Sequence, residues 1–294
     1  MTSGNQAALN NLPPLRDVIA RHGLAARKSL GQNFLLDENL LNRIAKVAGP
    51  LEGRHAVEVG PGPGGLTRAL LRAGANHVTA IEKDRRAIAA LDELAAVAAG
   101  RLTIVEGDAL ETPLSGLSDQ PLTVVANLPF NIATPLLMAW LEAAEPIASM
   151  TLMFQREVAA RLTAQPRTKD YGRLAVATQW RCAVKRCFDV PPRAFVPQPK
   201  VAASVVRLDV MAQPAYPADA RCLSDVAKAA FGQRRKALRN ALGALVDDPD
   251  GLLEVAEIEP GRRAEELEIE EFARLARAYG RLINKPIGAD GQLV

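Results

Sequence analysis

Asn127-Leu128-Pro129-Phe130 follows directly on the apolar run Leu122, Val124, Val125, Ala126, which places these four residues where a buried strand leaves its sheet. Open α/β sheets bind ligands at that carboxyl edge. Asn127 offers a side-chain oxygen, and Leu128 a backbone carbonyl kept extended because the residue before a proline is excluded from the helical region. An exocyclic adenine amine is a poor nucleophile because its lone pair is delocalised into the ring. Two acceptors aimed at its N–H groups would draw that pair back onto nitrogen. Phe130 adds a face on which a base can stack, worth roughly 1–3 kcal/mol in single-strand binders. A flat, amine-bearing nucleobase therefore suits the set. A strand end followed by a plain proline turn would use the same residues without chemistry, so the tetrapeptide alone leaves both readings open.

Residues 58–67, Glu-Val-Gly-Pro-Gly-Pro-Gly-Gly-Leu-Thr, follow another apolar strand at 56–59 and open a helix through Leu66, Leu70 and Leu71. Gly60, Gly62 and Gly64 let backbone approach a ligand closely. Gly60, Gly62 and Gly65 also satisfy the dinucleotide fingerprint, a weak signal in isolation. Pro61 and Pro63 each remove an N–H that a pyrophosphate would use, so an adenosyl ligand without phosphates fits better. Glu82 ends the next strand, 77–81, where a carboxylate can accept ribose hydroxyls, and Asp108 follows the strand 102–106, within reach of an adenine amine. Any one of these acids could be a solvated loop charge. Signals at the ends of four successive strands are harder to dismiss.

Four stretches in this order and spacing resemble the small-subunit (16S) rRNA adenine N6-dimethyltransferase family: residues 27–35 (Arg-Lys-Ser-Leu-Gly-Gln-Asn-Phe-Leu), the glycine loop, Gly107-Asp108-Ala109, and 127–131 (Asn-Leu-Pro-Phe-Asn). Val190-Pro191-Pro192, Phe195-Val196-Pro197, Pro199-Lys200-Val201 and 231–240 are similar to the same family, so the resemblance runs from about residue 16 to about 280. It implies a class I methyltransferase fold, S-adenosylmethionine as methyl donor and no metal. The implied acceptors are two adjacent adenosines near the 3′ end of small-subunit rRNA, each methylated twice, on a 30S precursor during ribosome biogenesis. It further implies a donor site at Asn33, Leu35, Gly60, Glu82, Asp108 and Asn127, and a catalytic base site at Asn127, Leu128, Pro129 and Phe130. Phe130 stands where the family more often has tyrosine, and Gln198 and Ala202 where proline and aspartate are common; these departures bear on fine substrate geometry.

The chain of 294 residues, 48% hydrophobic, suits one α/β domain with a smaller companion. Strand and helix signals alternate as a doubly wound, mainly parallel sheet requires. Helices are expected at 37–48 and at 134–144, the latter capped by Thr134 with Pro135 in its first turn, and later strands at 150–154, 183–188 and 203–210, the last two pairing at the sheet edge. Pro214 and Pro217 mark a linker to an all-helical C-terminal part. The expected division is a methyltransferase domain at 15–212, a helical RNA- or ribosome-binding domain at 213–284, and loose tails at 1–14 and 285–294.

Net charge is only +3, but its distribution is uneven. Residues 161–207 carry ten Lys or Arg against two acids and 221–239 six against one, whereas 243–280 carry eleven acids against four bases, a stretch that reads as a solvated face. Basic segments flanking a base pocket are what a phosphate-tracking surface needs. Arg234, Arg235, Lys236 and Arg239, in an expected helix with Phe231, Leu238 and Leu242 on its apolar side, are the RNA-binding candidates, together with Arg27 and Lys28. Cys182, Cys187 and Cys222 show neither disulfide nor zinc spacing, and the three histidines form no constellation, so reduced thiols in the cytoplasm are expected. No apolar run is long enough for a membrane span, and no obligate protein partner is evident. Alternatives are a 23S-type rRNA adenine methyltransferase, against which residues 231–240 argue; an NAD-dependent oxidoreductase, which leaves 127–130 unexplained; and a non-catalytic ribosome-assembly factor.

Overall fold

The computed structural model describes residues 8–27, 30–143 and 145–283, which form two compact units. The first comprises the chain to Ala159 together with Lys185–Val210; the second comprises Ala160–Val184 and the chain from Met211 onward. The expected boundary near residue 212 is thus too simple. Residues 160–184 belong with the helical unit because Tyr171, Val176 and Trp180 are buried in its core.

In the first unit, strands β2 (His55–Val59), β3 (His77–Glu82), β4 (Leu102–Glu106), β5 (Leu122–Ala126) and β6 (Ile147–Gln155) pair in parallel, and β9 (Ala203–Val210) joins β6 antiparallel. The sheet order is β4-β3-β2-β5-β6-β9-β7, with β7 at Cys182–Val190. Every residue of β5 is buried, which explains its continuous apolar run in place of alternation. The order reverses between β2 and β5, and that reversal opens a crevice at the carboxyl ends of the strands. A short strand β1 (Phe34–Leu35) pairs antiparallel with β8 (Phe195–Val196) in a separate ribbon.

Helix α1 (Leu15–Arg21) precedes β1, and α2 (Glu38–Val47) follows it. The Asp37 carboxylate caps α2 by accepting from the amides of Asn39 and Leu40, and Leu41, Ile44 and Ala45 face the core. Helix α3 (Gly65–Arg72) leaves the glycine loop and α4 (Arg85–Val97) leaves β3. Helix α5 spans Phe130–Glu142, starting four residues before the position expected from Thr134. Pro129, with φ −53°, initiates the helix, and its carbonyl accepts from Ile132 and Ala133. Pro135 lies inside the helix, where it cannot donate to the Asn131 carbonyl. The described part of the expected N-terminal tail is anchored, not loose: Leu9 is fully buried, Arg72 donates to its carbonyl and Arg68 to that of Pro13.

The second unit packs α7 (Arg173–Arg181), α8 (Ala220–Gly232), α9 (Leu238–Leu242), α10 (Pro249–Val255) and α11 (Ile269–Ile283), with α6 (Arg156–Leu162) running into it. Phe231 and Phe272 stack at 5.5 Å, Tyr171 meets Phe231 edge-on, and the fully buried Tyr171 hydroxyl donates to the Leu267 carbonyl. The expected linker is tied down, since Met211 and Ala215 donate to the carbonyls of Arg181 and Trp180. The continuous helix expected over 231–242 is also broken. Helix α8 stops at Gly232, residues 233–237 form a turn, and α9 begins after Ala237 in extended geometry.

Candidate donor and base pocket

One pocket occupies the crevice of the first unit, and its walls include every residue expected for the donor: Asn33, Leu35, Gly60, Glu82, Asp108 and Asn127. Leu128, Pro129 and Phe130 line it as well. Residues separated by almost a hundred positions meet there because the strands end together and β1 folds across the glycine loop.

Gly62 shows why the loop has its composition. Its backbone takes φ +53°, its amide donates to Glu82 Oε2 at 3.1 Å, and a Cβ on it would stand 3.0 Å from the Phe34 ring. Only glycine satisfies all three conditions. The other Glu82 oxygen accepts from the amides of Lys83 and Asp84. Three backbone donors therefore fix this carboxylate at the end of β3, and burial nevertheless pushes its pKa above the ordinary range. Asp108 is held differently: its carboxylate accepts from Lys83 Nζ at 2.9 Å and from the Leu110 amide, and the lysine bond lowers its pKa.

At the base side, Asn127 Nδ2 donates to the Asn33 carbonyl at 3.2 Å. This bond spends one amide N–H on the N-terminal segment and orients the side chain, leaving Oδ1 as the acceptor end. Asn33 turns its own side-chain amide back to the Gly31 carbonyl. Phe130 meets Phe195 edge-on at 6.5 Å, and the β1–β8 pairing sets Phe195 opposite Leu35. Phe195 and Phe34 were not singled out from sequence as site residues, although both lie within segments that carried the family resemblance.

Two further groups escaped the sequence reading. Gln32 donates to Asp84 Oδ2 at 3.0 Å and accepts from the Arg27 amide, while Arg86 clamps the same Asp84 and reaches the carbonyls of Gly23 and Ala25. The N-terminal segment is thereby fastened two residues beyond Glu82. Arg86 beside it and the Gln32 bond hold the Asp84 carboxyl down at about 2. Glu58, pocket-lining and buried, accepts from Thr67 Oγ1 at 2.6 Å, and desolvation pushes its pKa up to about 8. Between pH 4.5 and about 8 the unfolded chain would ionise this group while the native state keeps it protonated, so stability should fall as pH rises through that window. Glu58→Gln should flatten the fall, by at most about 1.4 kcal/mol per pH unit. Denaturant midpoints at pH 5 and pH 8, without donor, test this; parallel curves for the two proteins would refute it.

The RNA candidates are scattered. Arg27 is exposed, and Lys28 lies outside the described residues. Arg235 and Lys236 are exposed in the turn after α8, and Arg239 Nε stands 3.6 Å from Asp250. Arg234 is engaged, donating to Glu265 at 3.0 Å and to the Thr168 carbonyl. No helix among the described residues is long and apolar enough to cross a membrane. None of the three cysteines forms a disulfide, and among the described residues no three metal-ligating side chains cluster.

The strand order and the crevice at its reversal define a Rossmann-like, class I methyltransferase fold joined to a helical C-terminal part. Two solved structures share this fold. A dimethyladenosine transferase from Plasmodium falciparum aligns with TM-score 0.72 at 24% identity over 84% of this chain and 98% of its own, and the 23S rRNA methyltransferase ErmE with 0.64 at 27% over 84% and 100%. The family model for ribosomal RNA adenine dimethylase matches residues 23–280, and the chain belongs to that family. Among its relatives, ribosomal RNA small subunit methyltransferase A of Rhodospirillum rubrum is 56% identical over 92% of this chain and 93% of its own. The protein of the same name from Rhodopseudomonas palustris is 57% identical over 92% and 95%.

Proposed function

We propose that this protein transfers methyl groups from S-adenosylmethionine to N6 of two adjacent adenosines near the 3′ end of small-subunit rRNA, dimethylating each, on a 30S precursor in the cytoplasm during ribosome biogenesis. The observation that carries the reading is the Asn127 amide. One of its N–H groups is bonded to the Asn33 carbonyl, which leaves Oδ1 as its acceptor end, and Leu128, whose carbonyl would be the other acceptor, lines the same pocket.

The donor supplies an electrophilic methyl on a sulfonium, which makes a strong base unnecessary. Glu82 would hold the ribose hydroxyls with its remaining lone pairs, Asp108 the adenine amine, and Gly60 and Gly62 would allow close approach of backbone. With both N6 hydrogens drawn toward Asn127 Oδ1 and the Leu128 carbonyl, the lone pair localises and attacks the methyl carbon. The C–S bond breaks onto sulfur and N6 then releases a proton. The target base must first leave its stack, at roughly a few kcal/mol, which stacking on Phe130 helps to offset. Phenylalanine here keeps the stacking face that tyrosine would provide.

ErmE shares the fold at 27% identity, whereas the relatives above 50% carry the small-subunit name, and this supports the small-subunit substrate over the large. The test is to incubate the protein with labelled donor and undermethylated small subunits, then map the modified nucleotides. Two adjacent dimethyladenosines near the 3′ end are expected. Label in large-subunit rRNA alone would favour the 23S-type reading.

A further inference from the structure

The helical unit contains an arrangement that alters the role of its best-placed arginine. The Glu265 carboxylate accepts from Arg234 Nε at 3.0 Å, and the Glu265 backbone carbonyl accepts from the Arg167 amide at 2.7 Å. Arg234 Nη2 in turn donates to the Thr168 carbonyl. One residue in the 264–266 turn thus gathers two basic segments that are far apart in sequence: the loop at 165–170 and the turn at 233–237. The loop is itself braced, with Thr168 Oγ1 donating to Gln165 and the Tyr171 amide to Thr168, and Arg167 is held at φ +67°. Arg167, Lys169, Arg235 and Lys236 remain exposed around this half-buried ion pair.

We propose that Arg234 is a positioning residue that clasps two loops together, and that the phosphate-facing surface of this unit is the composite of Arg167 and Lys169 with Arg235 and Lys236. The inference rests on the reading of the substrate as rRNA. Four flexible cations on two fixed loops suit successive phosphates of a nucleic-acid backbone, which present charge at regular intervals, better than a single carboxylate partner. Arg234, its fork occupied by a carboxylate and a carbonyl, has less to offer a phosphate than its neighbours.

Two sets of variants decide the matter, read as subunit affinity over a range of salt. Replacing Arg167 and Lys169 together with alanine should flatten the slope of log K against log salt by about 1.4, since each lost single-strand phosphate contact removes about 0.7. An unchanged slope overturns the composite surface. Glu265→Ala gives opposite signs for the two roles of Arg234. It raises net positive charge and frees the guanidinium, so binding should tighten if Arg234 is a phosphate ligand. A clasp predicts binding several-fold weaker because the loops separate, and tighter binding would refute it. If Glu265→Ala does not fold, the exposed Arg167 and Lys169 pair decides alone. Should the unmodified protein bind no small subunits at all, the substrate reading fails first, independently of the clasp.

Discussion

Asn127→Ala is expected to lower methyl transfer by at least about 100-fold at saturating donor, the scale on which a single preorganised polar group acts in a transition state. RNA affinity should stay within about twofold of the parent, because the amide acts on N6 and not on phosphate. The structure adds a second expectation. The same side chain holds the Asn33 carbonyl, so donor affinity should also weaken by several-fold. Saturating donor separates the two effects: it restores the binding loss and leaves the chemical one. Phe130→Tyr, which keeps the ring, should remain active, whereas Phe130→Ala should lose most turnover with its stacking face. Single-turnover assays on undermethylated subunits give the answer, and near-normal turnover by Asn127→Ala would eliminate the two-acceptor mechanism.

Glu82→Ala should weaken S-adenosylmethionine binding by about 1.5–3 kcal/mol, or roughly 10- to 150-fold, the range for hydrogen bonds to a charged group. Its side chain also satisfies the amides of Gly62, Lys83 and Asp84, so the alanine variant should unfold at lower temperature as well. Glu82→Gln separates these roles. It retains an acceptor for the loop with little change of shape, and its donor affinity should still fall while its stability stays closer to the parent. Isothermal titration with the donor distinguishes the cases; unchanged affinity in both variants would remove Glu82 from the site.

That these residues line one pocket could be read from sequence because each part of it announces itself locally. A strand's apolar run ends and, within a few residues, a glycine loop, an acid or Asn-Leu-Pro-Phe follows; the topology of an open sheet then brings those ends together. Gln32 and Asp84 escaped because neither is unusual in its own segment, and only the fold places them 3.0 Å apart. The acidic stretch at 243–280 read as a solvated face for a similar reason. Charge counting cannot see that Glu265 faces Arg234 and that Glu271 faces Arg262 and Arg274. The helix expected at 231–242 failed on periodicity: Leu238 and Leu242 are buried and Phe231 partly so, but from two helices separated by a turn. Leu9, far from any strong helix signal, is fully buried by contacts that no local pattern encodes.

The pairing of Phe34 with Val196 and Leu35 with Phe195 joins positions roughly 160 residues apart. A ribosome extending the chain at about 5–20 residues per second needs roughly 8–30 s to travel from one to the other. Throughout that interval the wall of the pocket that carries Asn33, Phe34 and Leu35 has no strand to pair with. A nascent chain that has already made its glycine loop and its Asn-Leu-Pro-Phe segment therefore still lacks the strand that pairs with this wall. The ribbon that braces this wall can form only late in synthesis, once β8 has left the exit tunnel.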